Sequence, residues 1–120
     1  MFIGVDIEDV SRFQNKTLEN DSKFLNRIFT QNELEYCFNN KNCAQSLTAR
    51  FCAKEAVVKA LSGLYFDVIS YNKIEILKYP NGAPYVNILI DELRNLDFKL
   101  SLSHEKDKAI AFVIVIKKGE

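Results

Sequence analysis

Residues 49–61 read ARFCAKEAVVKAL, a run of small, helix-favouring side chains interrupted by Lys54, Glu55 and Lys59. On a wheel of about 100° per residue, Ala53, Ala56, Val57 and Ala60 share one arc with Cys52 at its flank. Glu55 and Lys59 lie one turn apart on another edge, and Lys54 points elsewhere. Alanines on the packed arc let another backbone or a ligand come close. The spacing predicts a long helix over 47–62, and its charges pose a choice. Glu55 ahead of Lys59 at i,i+4 is the favourable order for a surface ion pair, worth about 0.3–0.5 kcal/mol. The other reading is a charged site along the helix's edge.

Outward from this helix the chain alternates clear signals. FIGVDI (2–7) sets Ile3, Val5 and Ile7 against Phe2, Gly4 and Asp6, the period of a strand. Asp9 is placed to cap a short helix in the segment that follows. NDSKFLNRIF (20–29) spaces Phe24, Leu25 and Ile28 as a helix behind a capping Asn or Asp. TQNELEYCFNN (30–40) opens with a capping box, Thr30 with Glu33. Asn81-Gly82 marks a hairpin turn, IDELRNL (90–96) a short helix, and 98–117 a second hairpin. Its last strand, 109–116, is apolar on both faces and is expected at the sheet's centre. The expected fold is α+β, an antiparallel sheet packed against a long central helix, as one domain over 1–120.

Composition narrows the function classes. Sixteen basic and sixteen acidic residues cancel, which argues against a dedicated nucleic-acid binder. No apolar run approaches the roughly 20 residues of a membrane span, so no membrane partner is expected. MFIGVDIEDV has no basic segment and carries three acids, unlike a signal peptide. The three cysteines, Cys37, Cys43 and Cys52, are dispersed, which suits a reducing cytoplasm. One histidine and no CxxC leave zinc without a ligand set, so any metal here is oxygen-ligated.

Asp6 is the residue least at home in its context. Aspartate is depleted in strands, yet it lies in an Ile/Val-rich one. Either the strand ends early and Asp6 begins a turn, or its carboxylate meets a cation. Together, Asp6 and Glu55 would offer two hard oxygen ligands with positions left for water and phosphate, the way Mg2+ is usually held. Lys59, one turn from Glu55, would then meet the phosphates. That inventory suits phosphoryl-type transfer. His104, the only histidine, is by itself a structural hydrogen-bonder as readily as a site residue, and neighbouring Ser103 points to the opposite face.

Four segments in order resemble one family. GVDIEDVSR, RIFTQNELEY, RFCAKEAVVKAL and LSLSHEKDKAIAFVIV are similar to the successive motifs of holo-acyl-carrier-protein synthases, from Gly4 to about Ile116. The resemblance implies a 4′-phosphopantetheinyl transferase fold. It also implies Mg2+-dependent transfer of 4′-phosphopantetheine from coenzyme A to a serine of apo-acyl-carrier protein, releasing adenosine 3′,5′-bisphosphate, in fatty acid biosynthesis. Asp6 and Glu55 match the metal ligands, and Lys59 the lysine at the coenzyme A pyrophosphate. Arg50 and His104 match positions that contact coenzyme A phosphates, and Ser62-Gly63-Leu64 stands where the family has Gly-Thr-Gly near coenzyme A. Lys108 stands where a tyrosine is common. Arg12, Lys23 and Arg27 match basic positions that receive the acidic carrier protein. A homotrimer with active sites between subunits is implied as well. The residues taken alone also admit a magnesium-dependent phosphodiesterase or nuclease, and a non-catalytic oligomeric scaffold.

Overall fold

The computed structural model describes residues 1–65 and 67–119. Its order is β1 (Phe2–Asp9), α1 (Ser22–Ile28), α2 (Gln31–Phe38), α3 (Cys43–Leu61), β2 (Ile74–Lys78), β3 (Pro84–Ile88), β4 (Leu96–His104) and β5 (Lys108–Lys117). Strands β1, β5 and β4 form an antiparallel sheet with β5 in the middle, and β2 pairs with β3 in a separate hairpin. The fold is α+β, with β5 central as its two-faced apolar pattern requires. Among the described residues no helix is long and apolar enough to cross a membrane.

The close partner of the alanine arc is β1. A Cβ built on Gly4 would lie 2.0 Å from the Ala56 carbonyl oxygen and 2.7 Å from the Ala60 nitrogen. Glycine and alanine together thus let strand and helix backbones nearly touch. Ala53, Ala56, Val57 and Ala60 are buried against Ala109, Ala111, Val113 and Val115 of β5. The Cys52 thiol donates to the Asp6 carbonyl at 3.2 Å, and burial pushes its pKa up to about 12. A second cluster joins Phe13, Leu25, Phe29, Leu34, Leu47 and Phe51 across the early helices.

Several local expectations are met. Asp9 caps a 3-10 turn over Val10–Phe13 by accepting from the Ser11 amide, and Thr30 with Glu33 forms the capping box of α2. Others are corrected. The long helix begins at Cys43 rather than 47, because its first turn is only half-buried and shows no apolar period. Residues 90–96 give a single 3-10 turn at Asp91–Leu93, too short for a helix. Asp21 spends its side chain on the Thr17 amide instead of capping α1. Asp6 does not begin a turn, since β1 pairs with β5 through Asp9.

Lys54 is fully buried. Its ammonium donates to Glu33 Oε1 at 2.7 Å and to the carbonyls of Tyr71 and Ile74 at 2.9 and 2.6 Å. Glu33 Oε2 in turn accepts from the Ile76 amide at 2.8 Å. One buried ion pair therefore fastens α2, α3 and the start of β2 together. Burial pushes the Lys54 pKa down, while the Glu33 charge pulls it back up.

Candidate active site

Strand alternation delivers the first half of the site. Ile3, Val5 and Ile7 face away from α3, so Gly4, Asp6 and Glu8 face toward it. Asp6 is 7% exposed and receives the Lys59 ammonium on Oδ1 at 2.9 Å. Lys59 also donates to the Val5 carbonyl at 3.1 Å. The helical pair Glu55–Lys59 is not formed: Lys59 turns to Asp6, and Glu55 accepts a hydrogen bond from the Tyr71 hydroxyl. One carboxylate oxygen from each of Asp6, Glu8 and Glu55 lies within 4.8 Å of the other two. Arg12 stands at the rim, 3.9 Å from Glu8 and over the Phe51 ring.

Three carboxylates in so small a space carry an electrostatic cost without a cation. Burial pushes the Glu8 pKa up to about 7, and the neighbouring Asp6 carboxylate adds to the rise. Tyr71 is pushed up to about 12, chiefly because its hydroxyl donates to Glu55. Asp6 Oδ2 is buried with no hydrogen-bond partner. A cluster of hard oxygen donors with one orphaned buried oxygen fits a divalent oxygen-preferring ion such as Mg2+. Sequence reading missed Glu8, although its place two residues after Asp6 on one strand face was the available signal. Tyr71 had no signal, since its reach to Glu55 depends on tertiary packing.

Arg50 and His104 come together elsewhere. They line a cavity of about 300 Å³ with Asn42, Ser46, Lys78 and Leu102. Arg50 is buried, donates to Ser46 Oγ at 2.8 Å, and lies over the Tyr36 ring. Its Nε is buried with no partner, and Arg50 with Lys78 on the lining makes this cavity cationic. Nine residues at about 100° each put Lys59 roughly 180° around the helix from Arg50. In register, His104 faces Ala109 of β5 and Ala109 faces Glu8, so α3 stands between the two groups. Within one chain the carboxylates and the cationic cavity occupy opposite flanks of the helix.

The remaining predicted positions sit nearer the surface. Ser62 and Gly63 follow the C-terminus of α3, where Gly63 lies beside the Phe2 ring. Lys23 and Arg27 are exposed on α1 and line a shallow depression that also contains Glu19, Asp21 and Phe24. Ile28, on the same helix, is buried. Lys108 pairs with Asp9, its cross-strand partner at the end of the β1–β5 ladder.

A carboxylate trio with a lysine bound to one member is an inventory suited to phosphoryl transfer. Residues 2–113 match the 4′-phosphopantetheinyl transferase superfamily. Holo-acyl-carrier-protein synthase of Protochlamydia amoebophila is 44% identical over 115 residues, covering 93% of this chain and 94% of the relative. The crystal structure of the Helicobacter pylori holo-acyl-carrier-protein synthase in complex with coenzyme A is 31% identical. It superposes with a TM-score of 0.80 over 95% of this chain and 99% of that one. The Neisseria meningitidis synthase is 29% identical, with a TM-score of 0.80 over 97% and 98% of the two chains. This chain belongs to the 4′-phosphopantetheinyl transferase superfamily.

Proposed function

We propose that the chain is a holo-acyl-carrier-protein synthase, moving 4′-phosphopantetheine from coenzyme A to a serine of apo-acyl-carrier protein, with Mg2+ held by Asp6 and Glu55 and with Glu8 beside them. The observation that carries this reading is the gathering of Asp6, Glu8 and Glu55 within 4.8 Å next to the Lys59 ammonium. In the reaction the serine oxygen bonds to the pantetheine-side phosphorus. The bond from that phosphorus to the bridging oxygen breaks, adenosine 3′,5′-bisphosphate departs with that oxygen, and the serine proton passes to solvent. Bound Mg2+ would neutralise charge on the pyrophosphate oxygens. Lys59, 54% exposed at its side chain, has donor capacity left for the same phosphates.

Arg50 and His104, with Lys78, offer a second anion site suited to another phosphate of coenzyme A. The width of α3, about 10 Å, separates it from the carboxylates of the same chain. A ligand spanning both groups is better served by two copies, which supports a homotrimer with sites between subunits. An apolar face favours the same assembly: Ile3, Val5, Ile7, Ile110 and Phe112 are exposed on the side of the β1–β5 pair turned away from α3. Lys23 and Arg27 on α1, with Arg12, form the surface offered to the acidic carrier protein. A reducing cytoplasm and fatty acid synthesis are the setting this substrate pair implies.

The test is direct. Purified protein, apo-carrier protein, coenzyme A and Mg2+ are incubated and followed by intact mass. Gain of one phosphopantetheine per carrier, dependent on the metal, is expected. No gain, or metal-dependent cleavage of nucleic acid in a parallel incubation, overturns the assignment.

A further inference from the structure

We infer that Tyr71 is a positioning residue of the metal site: its hydroxyl holds Glu55 toward Asp6 and Glu8 and away from Lys59. The inference rests on the reading of Asp6 and Glu55 as metal ligands. Its starting point is a competition written into α3. Glu55 and Lys59 stand one helical turn apart, in the order that favours an ion pair, and the Glu55 charge is felt at the Lys59 ammonium. Yet Glu55 takes its hydrogen bond from Tyr71, and Lys59 takes Asp6.

Tyr71 is itself held at three points. Its carbonyl accepts from the buried Lys54 ammonium at 2.9 Å. Its ring packs edge-on against Phe51 with centroids 5.4 Å apart. Its neighbour Asn72 donates to the Asn26 carbonyl of α1 at 3.2 Å. The hydroxyl therefore comes from a braced ring, not from a swinging side chain. A phenol gives one hydrogen bond to Oε1 of Glu55. The other carboxylate oxygen, and the remaining lone pair of the first, stay free for a cation. Partners of this kind orient metal ligands in general, and their loss typically weakens metal binding about 10–100-fold.

The experiment measures Mn2+ binding directly, by electron paramagnetic resonance of free Mn2+ and without substrate. It compares wild type, Tyr71→Phe, Lys59→Met and the double variant. Phenylalanine keeps the ring on Phe51 and the backbone carbonyl on Lys54, so a cooperative thermal transition is retained. Tyr71→Phe should weaken Mn2+ binding about tenfold. In the Lys59→Met background, where Glu55 has no lysine to turn to, the same change should cost no more than about threefold. A purely structural tyrosine would not move with the lysine in this way. Wild type that binds Mn2+ while Tyr71→Phe binds it equally well overturns the inference and leaves the metal reading standing. Equal losses in both backgrounds overturn the competition with Lys59. Wild type that binds no Mn2+ overturns the metal reading and this inference together.

Discussion

At the scale of single residues, the site is an arrangement in which charge is gathered before its counter-ion arrives. Asp6→Ala or Glu55→Ala should lower turnover by at least about 100-fold while the chain still folds, as checked by intact-mass time courses beside thermal melts. Unchanged turnover in either variant would remove the carboxylate from the mechanism. Glu8 supplies the pH dependence. Its pKa of about 7 in the folded chain stands above the ordinary 4.5, so between those values the folded state binds more protons than the unfolded one. Stability must then fall as pH rises through that window, by something on the order of 2 kcal/mol. Urea unfolding from pH 4.5 to 7.5 with chelator present should show this slope, and Glu8→Gln should flatten it. A slope that is the same in Glu8→Gln assigns it to other groups. Asp6 was legible in the sequence because a carboxylate inside an Ile/Val strand is costly unless something answers it. Glu8 shares that strand face, but the strand pattern alone does not show how closely α3 crosses over it. Tyr71 was illegible because a phenol sixteen residues after Glu55 meets it only once the buried Lys54 has fixed the intervening backbone.

At the scale of elements, local chemistry was read most reliably where a backbone group needs a nearby side chain. The Thr30–Glu33 box and the Asp9 cap are of that kind, the central place of β5 was legible from its two-faced apolar run, and each stands as its sequence indicated. The first turn of α3 and the 3-10 turn at Asp91–Leu93 were misjudged where apolar periodicity is weak. Lys54 shows what pattern cannot supply. On the wheel it points away from the alanine arc, which reads as solvent, but a second layer formed by α2 and β2 covers it and Glu33 neutralises it. Helix α1 makes a different demand. Lys23 and Arg27 are solvated and have Glu19 and Asp21 for company, so their field is local and steers an acidic partner only at short range. Such contacts act on encounter. Arg27→Glu should raise the carrier-protein KM about tenfold or more while leaving the coenzyme A KM within about twofold. Added salt should weaken the wild type in the same direction, since exposed charges are screened within roughly 8 Å at physiological ionic strength. Steady-state kinetics with each substrate varied in turn decides it, and an effect on coenzyme A alone would move Arg27 to another site.

At the scale of the whole molecule, the arrangement of β1 has two consequences that meet in one experiment. Its inward face brings Asp6 and Glu8 to α3, and by strand alternation its outward face must then carry Ile3, Val5 and Ile7. Ile3 and Ile7 are each 62% exposed, an apolar surface that a second copy would cover. The carboxylates and the Arg50–His104 cavity meanwhile stand on opposite flanks of α3. In a closed ring, each interface would join the carboxylate flank of one subunit to the cationic flank of the next. Ile7→Glu should therefore yield monomers in sedimentation and lose turnover, even though Ile7 touches neither flank. The stronger test is complementation. Asp6→Ala subunits keep a sound cationic flank, and Arg50→Ala subunits keep sound carboxylates, so in such a ring each variant alone should be inactive. Unfolded together and refolded as a one-to-one mixture, they form rings in which about one interface in four joins two sound flanks. Turnover should return to about a quarter of the wild-type rate, while the same variants refolded separately and then mixed stay inactive until subunits exchange. Co-assembly without recovered turnover would place both flanks in the service of a single chain, and the helix between them would then need another explanation.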